Sequence, residues 1–269
     1  MEAVILEKVT GSGVAKIILN RPERRNAINA QVVDGVMKAL EDIRADGQIN
    51  AVITQGNGPT YSSGLDLYYL RAQSEGPPAD WDKFSPTAIM FEAIRNFPKV
   101  TIARVHGYCL GGALALMNSH DLVIAATDAQ IGMPEILRGS FGQMATSTLF
   151  HSGLPMKKAA LIQLLGRNIS GAEADRLGLV SMAVEPAELE STTMKLAQEI
   201  ASRHPGVLSS AKIAVQMGRN LSLPDAMRLD QLVASRQRLM VDPLGKVEEY
   251  LQSQKGGPNV GYRRSDSES

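Results

Sequence analysis

The sequence predicts an α/β fold with buried parallel strands and a helical C-terminal subdomain, on three observations. Short, continuous apolar runs at 100–105 and 121–126 each follow a stretch of helical spacing, the pattern of strands covered on both faces. Between them, His106–Gly112 is a glycine-rich turn that closes one strand and opens a small-residue helix over 113–119. Beyond His204-Pro205 the chain turns helical and polar, with no strand candidate.

The elements follow in order. Ala3–Leu6 and Val14–Leu19, split by Thr10-Gly11-Ser12-Gly13, read as a hairpin. Val32, Val33, Val36, Met37, Leu40 and Ile43 recur at helical spacing, with Asn29 as N-cap, and predict a helix to about Ala45. A buried strand is expected at Ala51–Thr54. Arg71–Pro86, with Gly76-Pro77-Pro78 and Asp80-Trp81-Asp82-Lys83, reads as a long surface loop or lid. Helix resumes near Ala88, and Gly178–Val184 is a further expected strand. Residues 1–204 are expected to form the core and 205–269 the helical subdomain, ending in a disordered polar tail from Arg263.

Charge and composition exclude several function classes. The 269 residues include 28 Lys+Arg and 28 Asp+Glu, with no long run of either sign. Nothing there tracks a phosphate backbone or an anionic membrane. The longest apolar stretches fall far short of the roughly 20 residues that span a bilayer. The first residues lack the basic start and long apolar core of a secretory signal, so the expected location is cytoplasmic. The lone Cys109 forms no internal disulfide, and His106, His120, His151 and His204 lack helical metal-ligand spacing, so no metal is expected.

Two glycine loops are the candidate site. Gly58–Leu67 follows a strand, and glycine there lets the chain turn sharply and aim N–H groups into a cavity. Gly107–Gly112 precedes a helix, so its N–H groups lie at the positive end of a helix dipole. Two such loops can form an oxyanion hole; each also reads as plain turn chemistry. Glu135 follows a Pro among apolar residues, where a carboxylate is costly unless used or paired, and Arg138 is the available ion-pair partner. Ser62 and Ser63 lack a nucleophile elbow, which disfavours a serine triad. His106 and His204 read as structural; His120 and His151 read as structural or as substrate contacts. Tyr68, Tyr69 and Trp81 border the lid and either line an acyl pocket or pack it.

These segments, taken in order, resemble the crotonase (enoyl-CoA hydratase/isomerase) family. The resemblance rests on Leu19–Ala27 (LNRPERRNA), Ser63–Leu67 (SGLDL), His106–Gly112 (HGYCLGG), Met133–Ile136 (MPEI), and Ile169–Ala174 (ISGAEA) before Gly178-Leu179-Val180. It implies a spiral of ββα units closed by C-terminal helices, assembled as homotrimers or dimers of trimers. It also implies a CoA thioester whose carbonyl oxygen lies between the N–H groups of Leu65 and Gly112. Arg24, Arg25 and Ala27 match the segment that wraps the CoA adenine and pantetheine. Ser63, Gly64, Asp66, Leu67 and Gly111 complete the substrate-binding set. No cofactor is implied beyond coenzyme A as part of the substrate.

The sequence departs from the family pattern at the first of two glutamates that hydratase members use. That position falls on Ala115, which cannot ionise, whereas Glu135 matches the second. The aspartate of the dienoyl-CoA isomerase pattern falls on Gln143. The family's Pro-Gly-x-Gly-Gly stretch is replaced within Ser140–Ala145 (SFGQMA), which predicts a remodelled pocket floor. One carboxylate above a stabilised enolate suffices to move a double bond, so isomerisation by Glu135 leads. An atypical hydratase, C–C lyase or hydrolase, with His151, Tyr68, Tyr69 or Gln143 assisting Glu135, stays open. So does a non-catalytic acyl-CoA-binding protein.

Overall fold

The computed structural model describes residues 2–75, 83–218 and 220–241, together with 245, 248, 251 and 252. The chain opens with the expected hairpin, β1 (Val4–Val9) and β2 (Val14–Leu19), antiparallel in the register Val4–Leu19 to Val9–Val14. Helix α1 (Ala30–Ala45) starts where Asn29 accepts a hydrogen bond from the Val32 N–H. It buries Val32, Val33, Val36, Leu40 and Ile43. Strand β3 (Ala51–Gly56) is buried along its whole length, as a strand paired on both sides and covered on both faces must be.

Then come α2 (Leu67–Ser74), α3 (Pro86–Arg95), β4 (Val100–Val105), β5 (Tyr108–Leu110) and α4 (Gly112–Asn118). They are followed by β6 (Leu122–Ala126), β7 (Gln130–Gly132), α5 (Gln143–Phe150), α6 (Met156–Leu165), β8 (Ile169–Ser170), α7 (Gly171–Leu177), β9 (Met182–Val184) and α8 (Leu189–Ala201). The last two helices are α9 (Pro205–Gly218) and α10 (Leu223–Arg238).

A larger sheet runs in the order β1-β2-β3-β4-β6-β9, parallel from β2 onward, and a smaller one in the order β5-β7-β8. Each pass of the chain adds a strand to the larger sheet, then an extended segment to the smaller, then a helix. β4-β5-α4 is one such pass. β6, β7 and α5 make the next, while the pass from β3 contributes the parallel Ser62–Cys109 bridge before α2. This is the spiral of ββα units, and it places successive strand-to-helix turns side by side.

Three local expectations are corrected. Part of the expected loop is α2, which starts because Asp66 Oδ1 accepts from the Tyr68 N–H at 3.0 Å and its carbonyl from the Leu70 N–H at 2.9 Å. The glycine-rich turn holds the short strand β5, which forms because Tyr108–Leu110 pairs in parallel with Gln130–Gly132. Gly178 opens no strand: at φ 79° its N–H closes α7 on the carbonyls of Ala174 and Asp175, and β9 begins only at Met182. Residues 76–82 of the expected lid, with Trp81, and the tail from Arg263 lie outside the described residues, and Pro86 already opens α3.

Two compact units divide between Ser209 and Ser210, inside α9, whose helix begins at Pro205. The first contains both sheets. The second contains α10, capped by Ser222, whose hydroxyl accepts from the Asp225 N–H. Among the described residues no helix is long and apolar enough to cross a membrane.

Candidate active site

Two successive strand-to-helix turns build one wall of the site. Ser62 and Cys109 are bridged: the Ser62 N–H donates to the Tyr108 carbonyl at 3.0 Å and the Leu110 N–H to the Ser62 carbonyl at 3.3 Å. Leu65 and Gly112 each lie three residues beyond their side of that bridge, and their backbones meet. A Cβ built on Gly112 would lie 3.2 Å from the Leu65 nitrogen, and one on Gly64 3.3 Å from the Gly112 nitrogen. Neither N–H donates to a protein acceptor among the described residues. Two adjacent free donors, one of them at the N-terminus of α4, suit a developing negative oxygen.

The 62–66 turn is held by the segment before α1. The Ile28 N–H donates to the Gly64 carbonyl and the Asp66 N–H to the Ile28 carbonyl, both at 2.8 Å. Arg21 donates to the Ala27 carbonyl at 2.6 Å and to the Asp66 carboxylate at 3.1 Å, with both side chains largely buried. Asn26 is fully buried. Its side-chain Oδ1 accepts from the Arg21 N–H at 2.9 Å, and its side-chain Nδ2 donates to the carbonyls of Asn57 at 2.9 Å and Thr60 at 2.7 Å. Arg25 and Asn26 adopt left-handed backbone, at φ 51° and 53°. The geometry is costly for a non-glycine residue, and for Asn26 three hydrogen bonds offset it.

Glu135 approaches from a third pass. After β7, the 3-10 turn Pro134–Arg138 begins on proline and ends at Gly139, left-handed at φ 73°. The Glu135 carboxylate packs against the backbones of two glycines. A Cβ at Gly111 would overlap Oε1, and one at Gly142 would lie 3.2 Å from it. Gly111, at φ 54° and ψ −116°, is a conformation that glycine alone adopts readily. Glu135 Oε2 is buried and accepts no hydrogen bond among the described residues. Burial pushes the Glu135 carboxyl above its ordinary value, opposed in part by its own backbone N–H and by Arg138.

These walls enclose a cavity of about 140 Å³ whose lining includes Ser63, Gly64, Leu65, Leu67, Gly111, Gly112 and Glu135. Seven residues singled out in the sequence thus converge. Leu70, Leu110, Phe141, Met144 and Ala145 make the rest of the lining largely apolar, and Arg138, Ser140 and Gln143 add polar groups. Glu135 is the only carboxylate among the lining residues described.

Other candidates lie elsewhere. Arg24 and Arg25 are exposed, Ala27 is buried, and none of the three lines the cavity. Asp66 is engaged by Arg21 and the start of α2, which makes it a residue that positions the Leu65 turn. Ala115 is wholly buried in α4. His120 is buried between the Leu116 carbonyl and the Thr54 hydroxyl, each at 2.8 Å, and His151 binds the Ser147 carbonyl at 2.9 Å. Tyr68 is exposed and Tyr69 half-buried, away from the cavity lining. Glu135 and Arg138 form no direct ion pair, though the Arg138 charge pulls the Glu135 carboxyl downward at longer range. Sequence reasoning missed Asn26 and Arg21 as turn-holding residues. Their only local signal is a buried-type Asn inside a charged segment.

Comparison with known proteins agrees with this geometry. Residues 9–238 match the model of the enoyl-CoA hydratase/isomerase family. A short-chain-enoyl-CoA hydratase from Clostridium acetobutylicum is 30% identical over 233 residues, covering 84% of this chain and 86% of that one. A hydroxycinnamoyl-CoA hydratase-lyase from Pseudomonas fluorescens is 30% identical over 213 residues, covering 78% and 77%. The crystal structure of human enoyl Coenzyme A hydratase domain-containing protein 3 superposes with a TM-score of 0.85 at 25% identity, covering 93% and 98%. With the spiral of ββα units, the paired N–H donors and the matched sequence over most of its length, this chain belongs to the enoyl-CoA hydratase/isomerase, or crotonase, family.

Proposed function

We propose that this chain moves a carbon–carbon double bond within an acyl-CoA thioester, with Glu135 as the single acid–base group. The thioester carbonyl oxygen accepts from the Leu65 and Gly112 N–H groups, which strengthen their hold as the oxygen becomes an enolate; one such donor is worth about 3 kcal/mol. Glu135 takes a proton from one carbon, the C–H electron pair becomes a new double bond of the dienolate, and the same proton returns at the far carbon. No atom is gained or lost, so no redox partner is required. The observation that carries this reading is that Glu135 is the only carboxylate among the described lining residues, with Ala115 at the family's other glutamate position. Burial makes Glu135 a stronger base than an exposed carboxylate, suited to an activated carbon acid.

A second reading is favoured by the hydroxycinnamoyl-CoA hydratase-lyase relative and by Gln143 in the lining: Glu135 and Gln143 together orient a water that adds to an enoyl-CoA. Turnover of enoyl-CoA thioesters in heavy-oxygen water separates the two. Product without solvent oxygen supports isomerisation, whereas a labelled hydroxyl or a cleaved acyl chain establishes the second reading in its place.

The same reading carries the family's assembly as trimers or pairs of trimers, in the cytoplasm. Exposed Leu223, Met227 and Leu232 on α10 support it. Sedimentation velocity showing a monomer at micromolar concentration contradicts the assembly.

A further inference from the structure

The turn that carries Glu135 also places a cation, the exposed Arg138, among the residues that line the cavity. In a 3-10 helix, with three residues per turn, side chains at i and i+3 eclipse. Glu135 and Arg138 occupy those positions in Pro134–Arg138, and both line the cavity. The residues between them, Ile136 and Leu137, pack toward Gly166 at the end of α6 and line no part of the cavity. Arg138 is the only cation among the described lining residues, and among the described residues it makes no ion pair or hydrogen bond. It does not neutralise Glu135 by contact, and burial outweighs its pull on that carboxyl. The same lining includes the apolar Leu67, Leu70, Phe141 and Met144, which suit an acyl chain, with Ser140 and Gln143 as neutral polar groups.

We infer that Arg138 is a specificity-determining residue and that the acyl group this site takes carries a carboxylate, held by the Arg138 guanidinium. The planar fork of arginine pairs with a carboxylate through two parallel hydrogen bonds. The inference rests on the proposed acyl-CoA reading and names the substrate class within it. The CoA phosphates are the other anions able to meet Arg138, so the test separates acyl from phosphate.

Isothermal titration would use three probes: a saturated straight-chain acyl-CoA, the same chain ending in a carboxylate, and CoA alone. The proteins are the wild type, Arg138→Met and Arg138→Lys. Saturated chains undergo no double-bond chemistry, so binding is read apart from reaction type. The expected result is a preference of about 10- to 100-fold for the carboxylate chain over the neutral chain in the wild type. That ratio falls to near one in Arg138→Met and is partly kept in Arg138→Lys, which retains the charge without the fork. No preference in the wild type, or a preference that survives Arg138→Met, overturns the inference. So does an equal loss for all three probes, which assigns Arg138 to the CoA phosphates. Failure of both thioesters to bind overturns the acyl-CoA reading itself, whereas binding without preference overturns only the role of Arg138.

Discussion

Glu135 and Gly111 are in direct contact, the carboxylate lying so close to the glycine that a Cβ there would overlap Oε1. Gly111 also precedes Gly112, the proposed oxyanion donor, and its own N–H donates to the Gly132 carbonyl at 2.9 Å, on the strand that leads into the Glu135 turn. The proposed base and the proposed donor loop are thereby fixed to one another through a single residue. Reaction at a thioester needs just this, because the acid–base group must sit within a hydrogen-bond length of a carbon whose carbonyl is held elsewhere.

Gly111→Ala tests that coupling. The new methyl displaces the Glu135 carboxylate and strains a left-handed backbone. We expect a loss of about 1–3 kcal/mol in stability from the backbone and a fall in kcat of about 100-fold or more from the displaced base. Urea unfolding and steady-state kinetics on one preparation measure both. An active Gly111→Ala enzyme would show that Glu135 is not held as described.

Burial of Glu135 gives stability a pH dependence. The folded protein holds this proton more tightly than the unfolded chain, so stability falls as pH rises from the ordinary carboxylate range, about 4.3, through the raised Glu135 value. Glu135→Gln lacks that loss. It is expected to be more stable than the wild type at neutral pH, the difference vanishing below the ordinary carboxylate range. Urea midpoints across a pH series check this; parallel curves at all pH values contradict it. Activity runs the other way, rising with pH as the carboxylate forms.

Asn26→Ala removes three hydrogen bonds, one within the segment before α1 and two from it to the 57–60 loop, and leaves alanine at φ 53°. We expect a loss of about 2–4 kcal/mol, measured by urea unfolding, together with weaker thioester binding because the Leu65 turn loses its support. A loss under about 0.5 kcal/mol, typical of a surface site, would show that Asn26 is not structural.

Much of this was legible in the sequence because it is local. The Asn29 cap, the periodicity of Val32, Val36 and Ile43 and the apolar run of β4 are decided within a few residues, and the structure places them where the pattern does. What escaped is non-local. β5 exists only through its pairing with β7, and α2 begins on Asp66, whose other oxygen is held by Arg21 far away in the chain. Gly178 misled because a helix-ending glycine beside an apolar run resembles the start of a strand. At the site, Glu135, Leu65 and Gly112 came from family motifs. The eclipsed Arg138 needed the 3-10 geometry, which the sequence does not announce.

The central claim, enolate formation by Glu135, is tested most directly by α-proton exchange. The protein and its Glu135→Gln variant are mixed with saturated and unsaturated acyl-CoA thioesters in heavy water and followed by proton NMR. We predict that the wild type exchanges the α-proton of at least one thioester and that the variant exchanges it about 10²- to 10⁴-fold more slowly. Equal exchange in both proteins, or tight thioester binding with no exchange in either, would contradict it.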